Sequence, residues 1–270
     1  MLGAIIGDIV GSRFEFNNIR TKNFELFAKD CQVTDDSIMT LAVAKALLAC
    51  NGDWNQLGQN AVKYMQEIGR KYPNCGFGGM FGKWVFSDKP APYNSFGNGA
   101  AMRVSPCGFI ARTEEEAILL SKKVTEVTHN HPEGLKGAEA VSVAIFLARN
   151  KATKSEIEER IEKDYYNLNF TLDSIRDDYE FDESCQGTVP QAIVAFLEST
   201  SFEDAIRNAI SVGGDSDTLA AITGSIAEAF YGVPSDLKSE AQAYLDHELL
   251  NIYEEWEKFI LTLTKNSYKL

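Results

Sequence analysis

The sequence predicts an all-α protein that folds as a single compact multi-helix domain. Apolar residues recur at helical spacing along most of the 270 residues,. Alternation of apolar and polar residues at strand length is scarce, and "WVFSD" at 84–88 is the one weak candidate for a strand. A parallel sheet would need repeated strand–helix alternation, which the sequence lacks. No linker and no repeat of roughly 20–50 residues divides the chain, so residues 1–270 are predicted to form one domain.

Start signals support several of the predicted helices. Thr34 precedes "DDS", Thr113 precedes "EEEAILL" and Ser201 precedes "FEDAI". Hydroxyl oxygens at these positions can accept the free N–H groups of a first helical turn. In chain order, the predicted helices are 2–12, 34–50, 55–70, 113–127, 132–149, 154–163, 188–199, 202–211, 215–231, 235–247 and 251–264.

Two of these helices are predicted to lie at the centre of the domain. In 34–50, apolar residues occur on every side, and in 215–231 small residues dominate, as in "LAAITGSIAEAF". A helix that is apolar all round is buried all round. Alanine and glycine in the second helix would let a neighbouring backbone approach closely. The segment 72–98 is predicted as loop, and the acidic segment 164–187 as a solvated surface loop.

Composition excludes several classes of protein. A formal net charge of −13 disfavours a protein that tracks the phosphates of nucleic acid,. No apolar run reaches the roughly 20 residues of a membrane span, and "MLGAIIGDIVGS" lacks the basic start of a signal peptide,. Five dispersed cysteines without a CxxC pair argue against zinc and disulfides,. A soluble, cytoplasmic protein with reduced thiols is expected, and a monomer is the default prediction.

Two acidic groups stand at the starts of the two central helices. Capping alone would explain one acid or hydroxyl at each start, because such groups accept first-turn N–H bonds. Each helix offers three, and buried carboxylates without partners are costly. The first group is Thr34, Asp35 and Asp36, and the second, 180 residues later, is Asp215, Asp217 and Thr218.

If the two helix starts meet, four carboxylates and two hydroxyls converge. Hard oxygen ligands without histidine or thiolate suit Mg²⁺, Mn²⁺ or Ca²⁺. Four carboxylates balance the charge of two divalent cations, and such a pair can orient sugar hydroxyls or phosphates. The sequence therefore predicts a dinuclear metal site, with helix capping as the simpler alternative.

Glycine-rich loops offer places for a ligand. "YNSFGNGAAMRVSP" at 93–106 sets Gly97 and Gly99 around Asn98, where backbone N–H groups could face an anion,. Phe96 could stack on a nucleobase. A plain turn into a helix explains the same residues. "THNHPEG" at 128–134 holds two of the three histidines beside a helix start, which is consistent either with a ligand contact or with ordinary structural histidines,.

Five motifs in order resemble the ADP-ribosylglycohydrolases, the family of dinitrogenase reductase-activating glycohydrolase. They are "GDIVGSRFE" near the N-terminus, "TDDS" at 34–37, "GNGAAMR" at 97–103, "TH" at 128–129 and "GGDSDT" at 213–218. The resemblance covers residues 3 to about 232. The resemblance implies an all-α fold, two Mg²⁺ or Mn²⁺ ions as cofactors, and removal of ADP-ribose from an acceptor.

The resemblance also assigns roles to residues of this chain. Glu15 matches an acid that approaches the metals in part of the family, and proton transfer is assigned to Glu15 or Asp35. The implied metal ligands are Thr34, Asp35, Asp36, Asp215, Asp217 and Thr218. The implied substrate contacts are Ser95, Phe96, Gly97, Asn98, Gly99, Met102, His129, Gly213 and Gly214.

Two departures from the family pattern leave the acceptor open. Phe96 stands where tyrosine is common, and the chain is short for the family. The implied partner is an ADP-ribosylated protein or a small ADP-ribose conjugate. Arginine, serine, an acetyl ester, a nucleobase and a guanidine compound all remain possible acceptors, and nucleic acid and membrane partners are not expected.

Three alternatives to this hydrolase compete. A helical terpenoid synthase also carries acids and Mg²⁺ on helices, but would show "DDxxD", whereas Met39 stands three residues after Asp36. A non-catalytic ADP-ribose-binding or structural relative would be expected to have lost an acid of the ligand set. A structural Ca²⁺ site would show EF-hand spacing, which neither acidic group has.

Overall fold

The computed structural model describes residues 1–267, so residues 268–270 of the predicted domain lie outside the described residues. In the first half of the chain the helices are α1 (Leu2–Gly11), α2 (Asp35–Cys50), α3 (Leu57–Gly69), α4 (Gly79–Val85), α5 (Gly99–Met102), α6 (Ser105–Ile110) and α7 (Glu114–Thr125). In the second half they are α8 (Pro132–Arg149), α9 (Lys154–Asp164), α10 (Leu172–Ile175), α11 (Cys185–Leu197), α12 (Phe202–Val212), α13 (Ser216–Tyr231), α14 (Ser235–Gln242) and α15 (His247–Ser267).

The predicted all-α class is confirmed. Within residues 1–267 no β-strand forms, and Gly97 and Ser184 make an isolated antiparallel bridge. The weak strand prediction at 84–88 is wrong, because Trp84 and Val85 end α4. Trp84 stacks on Phe81 one helical turn earlier, with ring centroids 5.5 Å apart. No neighbouring strand offers pairing there, so the bulky residues pack as a helix face instead.

The two helices predicted to be central are buried as expected. Every residue from Ser216 to Ala227 in α13 is buried, and α2 is buried along most of its length. The first helix joins them, since every residue of α1 is buried as well. These three helices form the middle of the domain, and α8, α11 and α12 pack around α13.

The contact between α1 and α13 brings two backbones together. Gly3, Gly7 and Gly11 follow one another at a spacing of four residues, which places them on one face of α1,. A Cβ atom added to Gly7 would lie 2.0 Å from the carbonyl oxygen of Ala220. Glycine is therefore required there, and it fixes the N-terminus of α13 beside α1.

The predicted start signals hold the helices where expected. Thr34 accepts from the Asp36 N–H, Thr113 from the Glu116 N–H and Ser201 from the Asp204 N–H. The start of α11 differs from the prediction of 188 and lies at Cys185, because the Ser184 side chain accepts the N–H of Gly187. Pro190 consequently lies inside the helix rather than in its first turn.

The described helices carry no membrane span. None of them within residues 1–267 combines the length and the apolar character that a bilayer crossing requires.

Candidate active site

A cavity of about 480 Å³ opens where the N-termini of α2 and α13 meet. Its lining joins residues from distant parts of the chain, including both acidic groups and the 95–99 loop. Among the predicted site residues, those that line it are Glu15, Asp35, Asp36, Ser95, Phe96, Gly97, Asn98, Gly99, Met102, His129, Asp215, Asp217 and Thr218.

The two acidic groups meet inside this cavity. The Thr218 hydroxyl donates to Oδ2 of Asp36 across 3.3 Å, which joins the start of α13 to the start of α2. Carboxylate oxygens of Glu15, Asp215 and Asp217 all lie within 4.8 Å of one another. Asp36 and Asp217 are both buried. The structure thus brings together carboxylates that are 180 residues apart in the sequence.

Crowding and burial both favour the protonated acids in the absence of a cation. Burial, and then the charges of neighbouring aspartates, raise the pKa of Asp36 and of Asp217 well above the ordinary value. Burial and the charge of Asp215 raise the pKa of Glu15 to about 7. Burial and the charge of Asp8 raise the pKa of Asp35 to about 7. A bound divalent cation would reverse this preference, because it stabilises the charged carboxylates.

The donor set fits hard divalent cations. Oδ1 of Asp36 is buried and has no hydrogen-bond partner within the described residues, so it is free to ligate. The surrounding donors are carboxylate and hydroxyl oxygens, the ligands that Mg²⁺ and Mn²⁺ prefer. Glu15 lies with Asp215 and Asp217 in an acidic cluster whose carboxylate oxygens could hold a metal ion.

Asp8 on α1 is a site residue that the sequence did not reveal. It is fully buried and accepts from Thr34 N (3.0 Å), Thr34 Oγ1 (2.5 Å) and Ser37 N (3.0 Å). These bonds hold the first turn of α2 and orient the Thr34 hydroxyl. In the sequence Asp8 stands out as a charge inside an apolar helix and as a member of the "GDIVGSRFE" motif, and neither signal names its partners on α2.

We expect the Asp8→Asn variant to be less stable and to bind Mg²⁺ more weakly. The amide keeps one acceptor oxygen but presents an N–H₂ group to backbone donors, which costs about 1–3 kcal/mol in the free energy of unfolding. Loss of support for a ligand shell weakens metal binding by about 10-fold or more. Urea unfolding and Mg²⁺ titration followed by Tm measure the two effects. Asp88→Asn, on the exposed surface, is the control, and equal behaviour of both variants would contradict this role.

Asn98 ties the glycine-rich loop to the acids. Its side-chain amide donates to Oδ2 of Asp215 (2.7 Å) and to Thr188 (3.1 Å). Its backbone N–H donates to the carbonyl of Glu183 across 2.7 Å. Ser95 steadies the same loop, because its hydroxyl accepts the N–H of Gly97. A ligand lying on this loop would therefore be held at a fixed distance from the acidic cluster.

His129 is a neutral imidazole directed at the same loop. Its Nδ1 lies 3.3 Å from Nη2 of Arg103, which can only donate, so Nδ1 accepts and Nε2 carries the proton,. Burial and then the Arg103 charge hold the pKa of His129 well below its usual value. Nε2 lies under the loop, 3.6 Å from where a Cβ on Gly97 or Gly99 would stand. The other histidine of that motif, His131, caps α8 by accepting the Glu133 N–H.

Gly213 and Gly214 form the turn that leads into Asp215, the N-cap residue of α13. Both have left-handed backbone angles, with φ of 77° and 70°. A Cβ on Gly214 would lie 2.3 Å from the ring of Tyr179. Asn18 brackets the turn by donating to the Gly214 carbonyl and accepting its N–H. Neither glycine is among the lining residues of the cavity, and their contact with substrate stays a prediction.

Part of the acidic segment 164–187 is not the solvated surface that the sequence predicted. Residues 181–184 line the cavity and pair with the 95–99 loop through the Gly97–Ser184 bridge. Tyr179 anchors the segment, since its hydroxyl donates to the Gly187 carbonyl. The aromatic residues Tyr179 and Phe181 within the acidic run were the signal for this packing. Asp177 and Asp178 remain exposed as predicted.

Comparison with known proteins identifies a family for this chain. The family model described as ADP-ribosylglycohydrolase matches residues 1–265. Human ADP-ribosylhydrolase ARH3 is 25% identical over 93% of this chain and 90% of its own length. ADP-ribosylarginine hydrolase Tri1 of Pseudomonas putida is 27% identical over 86% of this chain and 70% of its own length.

Two further likenesses extend over nearly the whole chain. The ADP-ribosyl-(dinitrogen reductase) glycohydrolase of Rhodospirillum rubrum is 24% identical over 92% of this chain and 90% of its own length. A solved structure described as an ADP-ribosylglycohydrolase-related protein complex superposes with a TM-score of 0.65 at 20% identity, covering 95% of each chain, and supports the fold. The family model covers nearly every residue, and the chain therefore belongs to the ADP-ribosylglycohydrolase family of hydrolases.

Proposed function

We propose that this protein cleaves the C1″ bond of the distal ribose in an ADP-ribose conjugate, with two Mg²⁺ or Mn²⁺ ions as cofactors. The observation that carries the proposal is the meeting of Asp36 and Thr218 beside the cluster of Glu15, Asp215 and Asp217. The acceptor is an ADP-ribosylated protein side chain, such as arginine or serine, or a small conjugate such as O-acetyl-ADP-ribose.

The cavity offers separate places for the two ends of ADP-ribose. Phe96 is 46% exposed and provides an aromatic face for adenine,. The backbone of 95–99, with the Nε2–H of His129 beneath it, provides donors for the diphosphate, and Met102 packs beside them. The distal ribose would then lie over the acids, because Asn98 joins the loop to Asp215.

The acids would hold the metals, stabilise positive charge at C1″ and transfer protons. The residues that would ligate are Asp36, Asp215, Asp217 and Thr218, which line the cavity together with Asp35. Thr34 caps α2 beside them and is not among the lining residues. When bound, the two cations supply positive charge that orients and polarises the ribose hydroxyls. The carboxylates of the chain stabilise the oxocarbenium-like charge at C1″ as the bond breaks. Glu15 and Asp35 both line the cavity, and one of them would take the proton of the attacking water,. The pH profiles of kcat for the Glu15→Gln and Asp35→Asn variants distinguish the two.

We expect a conjugate panel to release free ADP-ribose only when a divalent cation is present. ADP-ribosyl-arginine, ADP-ribosyl-serine and O-acetyl-ADP-ribose would each be incubated with Mg²⁺, with Mn²⁺ and with EDTA. EDTA should abolish release, and Mg²⁺ or Mn²⁺ should restore it and raise Tm, since a ligand of the native state stabilises it. Release that EDTA does not affect would remove the metals from the proposal.

The same panel separates the rival functions. A non-catalytic relative would bind ADP-ribose without releasing it from any conjugate. The match to the hydrolase family argues against the terpenoid synthase. Cytoplasmic location and a monomeric state stay predictions.

A further inference from the structure

Arg103 is a buried cation without an ion pair in the part of the chain that the structure describes. Its side chain is fully buried, and its Nε and Nη1 have no hydrogen-bond partner there. Its third nitrogen, Nη2, donates to the Thr128 hydroxyl across 2.6 Å and lies 3.3 Å from Nδ1 of His129. Burial lowers the pKa of Arg103 to about 10, so the guanidinium keeps its charge at neutral pH. A buried charge without a counter-ion is costly, and what Arg103 contacts through hydrogen bonds is Thr128 and His129.

Arg103 determines which nitrogen of His129 carries the proton. The Thr128 hydroxyl lies 2.8 Å from Nδ1 of His129 and 3.2 Å from the Thr125 carbonyl, so by itself it could either donate to Nδ1 or accept from it. Nη2 of Arg103 has two hydrogens and accepts none. One hydrogen goes to Thr128 and the other faces Nδ1, so a proton on Nδ1 would meet a donor. The lone pair therefore belongs on Nδ1 and the proton on Nε2.

The same guanidinium keeps the imidazole neutral. Burial, and then the charge of Arg103, hold the pKa of His129 well below its usual value. The other titratable groups around the pair are Tyr93, whose ring centroid lies 5.6 Å from that of His129, and Asp35 and Cys185, whose charges would act on Arg103. Burial raises the pKa of Tyr93 to about 12 and also raises that of Cys185, so neither is charged near neutral pH. Arg103 is thus the charge that acts on the imidazole.

We propose that Arg103 is a positioning residue, which acts through His129 to keep an N–H donor under the 95–99 loop and so strengthens binding of the substrate's diphosphate. The inference rests on the proposed hydrolysis of ADP-ribose conjugates, because that loop is where the diphosphate is expected. Nε2 lies 3.6 Å from where a Cβ on Gly97 or Gly99 would stand, so the donor lies beside the backbone of the loop. The other tautomer would present a lone pair at the same place and repel an anion.

This role gives Arg103 an effect on the pH dependence of binding that an ordinary buried side chain lacks. In the parent, His129 stays neutral with its proton on Nε2, so its share in diphosphate binding does not change between about pH 5.5 and about pH 8. Arg103→Met keeps the length of the side chain without its charge or its donors, and the pKa of His129 then rises because one of the two causes that lower it is gone. At the higher pH the proton is shared between the two ring nitrogens and binding weakens. At the lower pH a larger fraction of the imidazole carries both protons, and binding recovers in part.

The first test measures the Kd of ADP-ribose by titration calorimetry with Mg²⁺ at the two pH values. Relative to the parent, Arg103→Met should weaken binding by about 10-fold at the higher pH and by about threefold or less at the lower pH. The ratio of variant to parent at each pH cancels the titration of the acidic cluster, which both proteins share. Arg149→Met is the matched control, since that arginine donates to the carbonyls of Phe109 and Ala111 outside the cavity lining, and it should leave Kd unchanged. A ratio for Arg103→Met that is the same at both pH values would overturn the inference.

The second test asks whether Arg103 acts through His129. In the His129→Gln background, Arg103→Met should change the Kd of ADP-ribose by less than about twofold, because the group through which Arg103 acts is already gone. Losses that add would show that Arg103 only supports the loop, and would overturn the inference while the proposed function stands. Failure of the parent to bind ADP-ribose would overturn both.

The third test needs no variant of Arg103 and so does not depend on how such a variant folds. The ¹⁵N chemical shifts of an imidazole distinguish a protonated from an unprotonated nitrogen, and His129→Gln identifies the signals among the three histidines. The parent should show a protonated Nε2 and an unprotonated Nδ1, without titration from about pH 5.5 to about pH 8. Thr128→Val, which leaves Arg103 facing Nδ1, should show the same pattern. A protonated Nδ1 in the parent, or a changed tautomer in Thr128→Val, would overturn the inference.

Discussion

We expect the Asp217→Asn variant to lose hydrolysis of every ADP-ribose conjugate by a factor of about 10³ or more while keeping its fold. An oxygen of Asp217 lies within 4.8 Å of oxygens of Glu15 and Asp215, so the amide would remove one anionic ligand from the centre of the cluster. In the proposed mechanism, several kcal/mol of charge stabilisation would depend on a fully held metal pair, and each 1.4 kcal/mol is about tenfold in rate. Steady-state release of ADP-ribose at saturating Mg²⁺ measures the loss.

The stability of this variant should move in the opposite direction from its activity. Without metal, burial and then the charges of Asp215 and Asp36 raise the pKa of Asp217 well above its ordinary value, so folding must bury a charge or take up a proton, and asparagine avoids that cost,. We therefore expect the metal-free variant to melt roughly 2–4 °C above the metal-free parent, and to gain nothing when Mg²⁺ is added. Asp177→Asn, an exposed acid away from the cavity lining, should leave both values unchanged. Retained turnover at saturating Mg²⁺ would take the metal pair out of the mechanism.

The meeting of the two acidic groups could be predicted because each group is marked by the residues of its own helix start. "TDDS" and "GGDSDT" each stand at the start of a helix whose residues are too apolar, or too small, for a surface helix. Carboxylates beyond those that capping needs are costly when buried alone, so they must find partners. Thr34 and Asp215 are the N-cap residues of α2 and α13, which confirms the predicted helix starts. That Asp36 and Thr218 touch depends on packing between helices, which periodicity alone does not specify.

The contributions of Asp8 and of residues 181–184 could not be predicted for a different reason. Asp8 acts through hydrogen bonds to a segment 26 or more residues away, and no local pattern marks the partner. Residues 181–184 lie in a run of acids that is typical of solvated surface, and they reach the cavity through contacts with the distant 95–99 loop, namely the Gly97–Ser184 bridge and the bond from the Asn98 N–H to the Glu183 carbonyl. The strand prediction at 84–88 failed because short apolar runs suit helix and strand equally.

Gly7→Ala should destabilise the fold by about 3 kcal/mol or more, because the new methyl group would overlap the backbone of α13,. Its Cβ would lie 2.0 Å from the Ala220 carbonyl oxygen and 2.5 Å from the Ala221 nitrogen, and backbone atoms cannot rotate aside. Relief requires α1 and α13 to separate, at the cost of buried packing along both helices. The free energy of unfolding in urea measures the effect.

The Gly7→Ala substitution should also disturb the site, which distinguishes it from a substitution that only lowers stability. Gly11, one turn further on the same face, already packs against the Cα of Asp217, so separating α1 from α13 should shift that ligand and weaken Mg²⁺ binding too. Gly58→Ala in α3 is the matched control, since its Cβ would meet nothing closer than 3.6 Å and alanine favours a helix by about 1 kcal/mol,. If Gly7→Ala unfolds at the same urea concentration as Gly58→Ala, the close contact of α1 and α13 does not exist, and the position assigned to Asp217 loses its support.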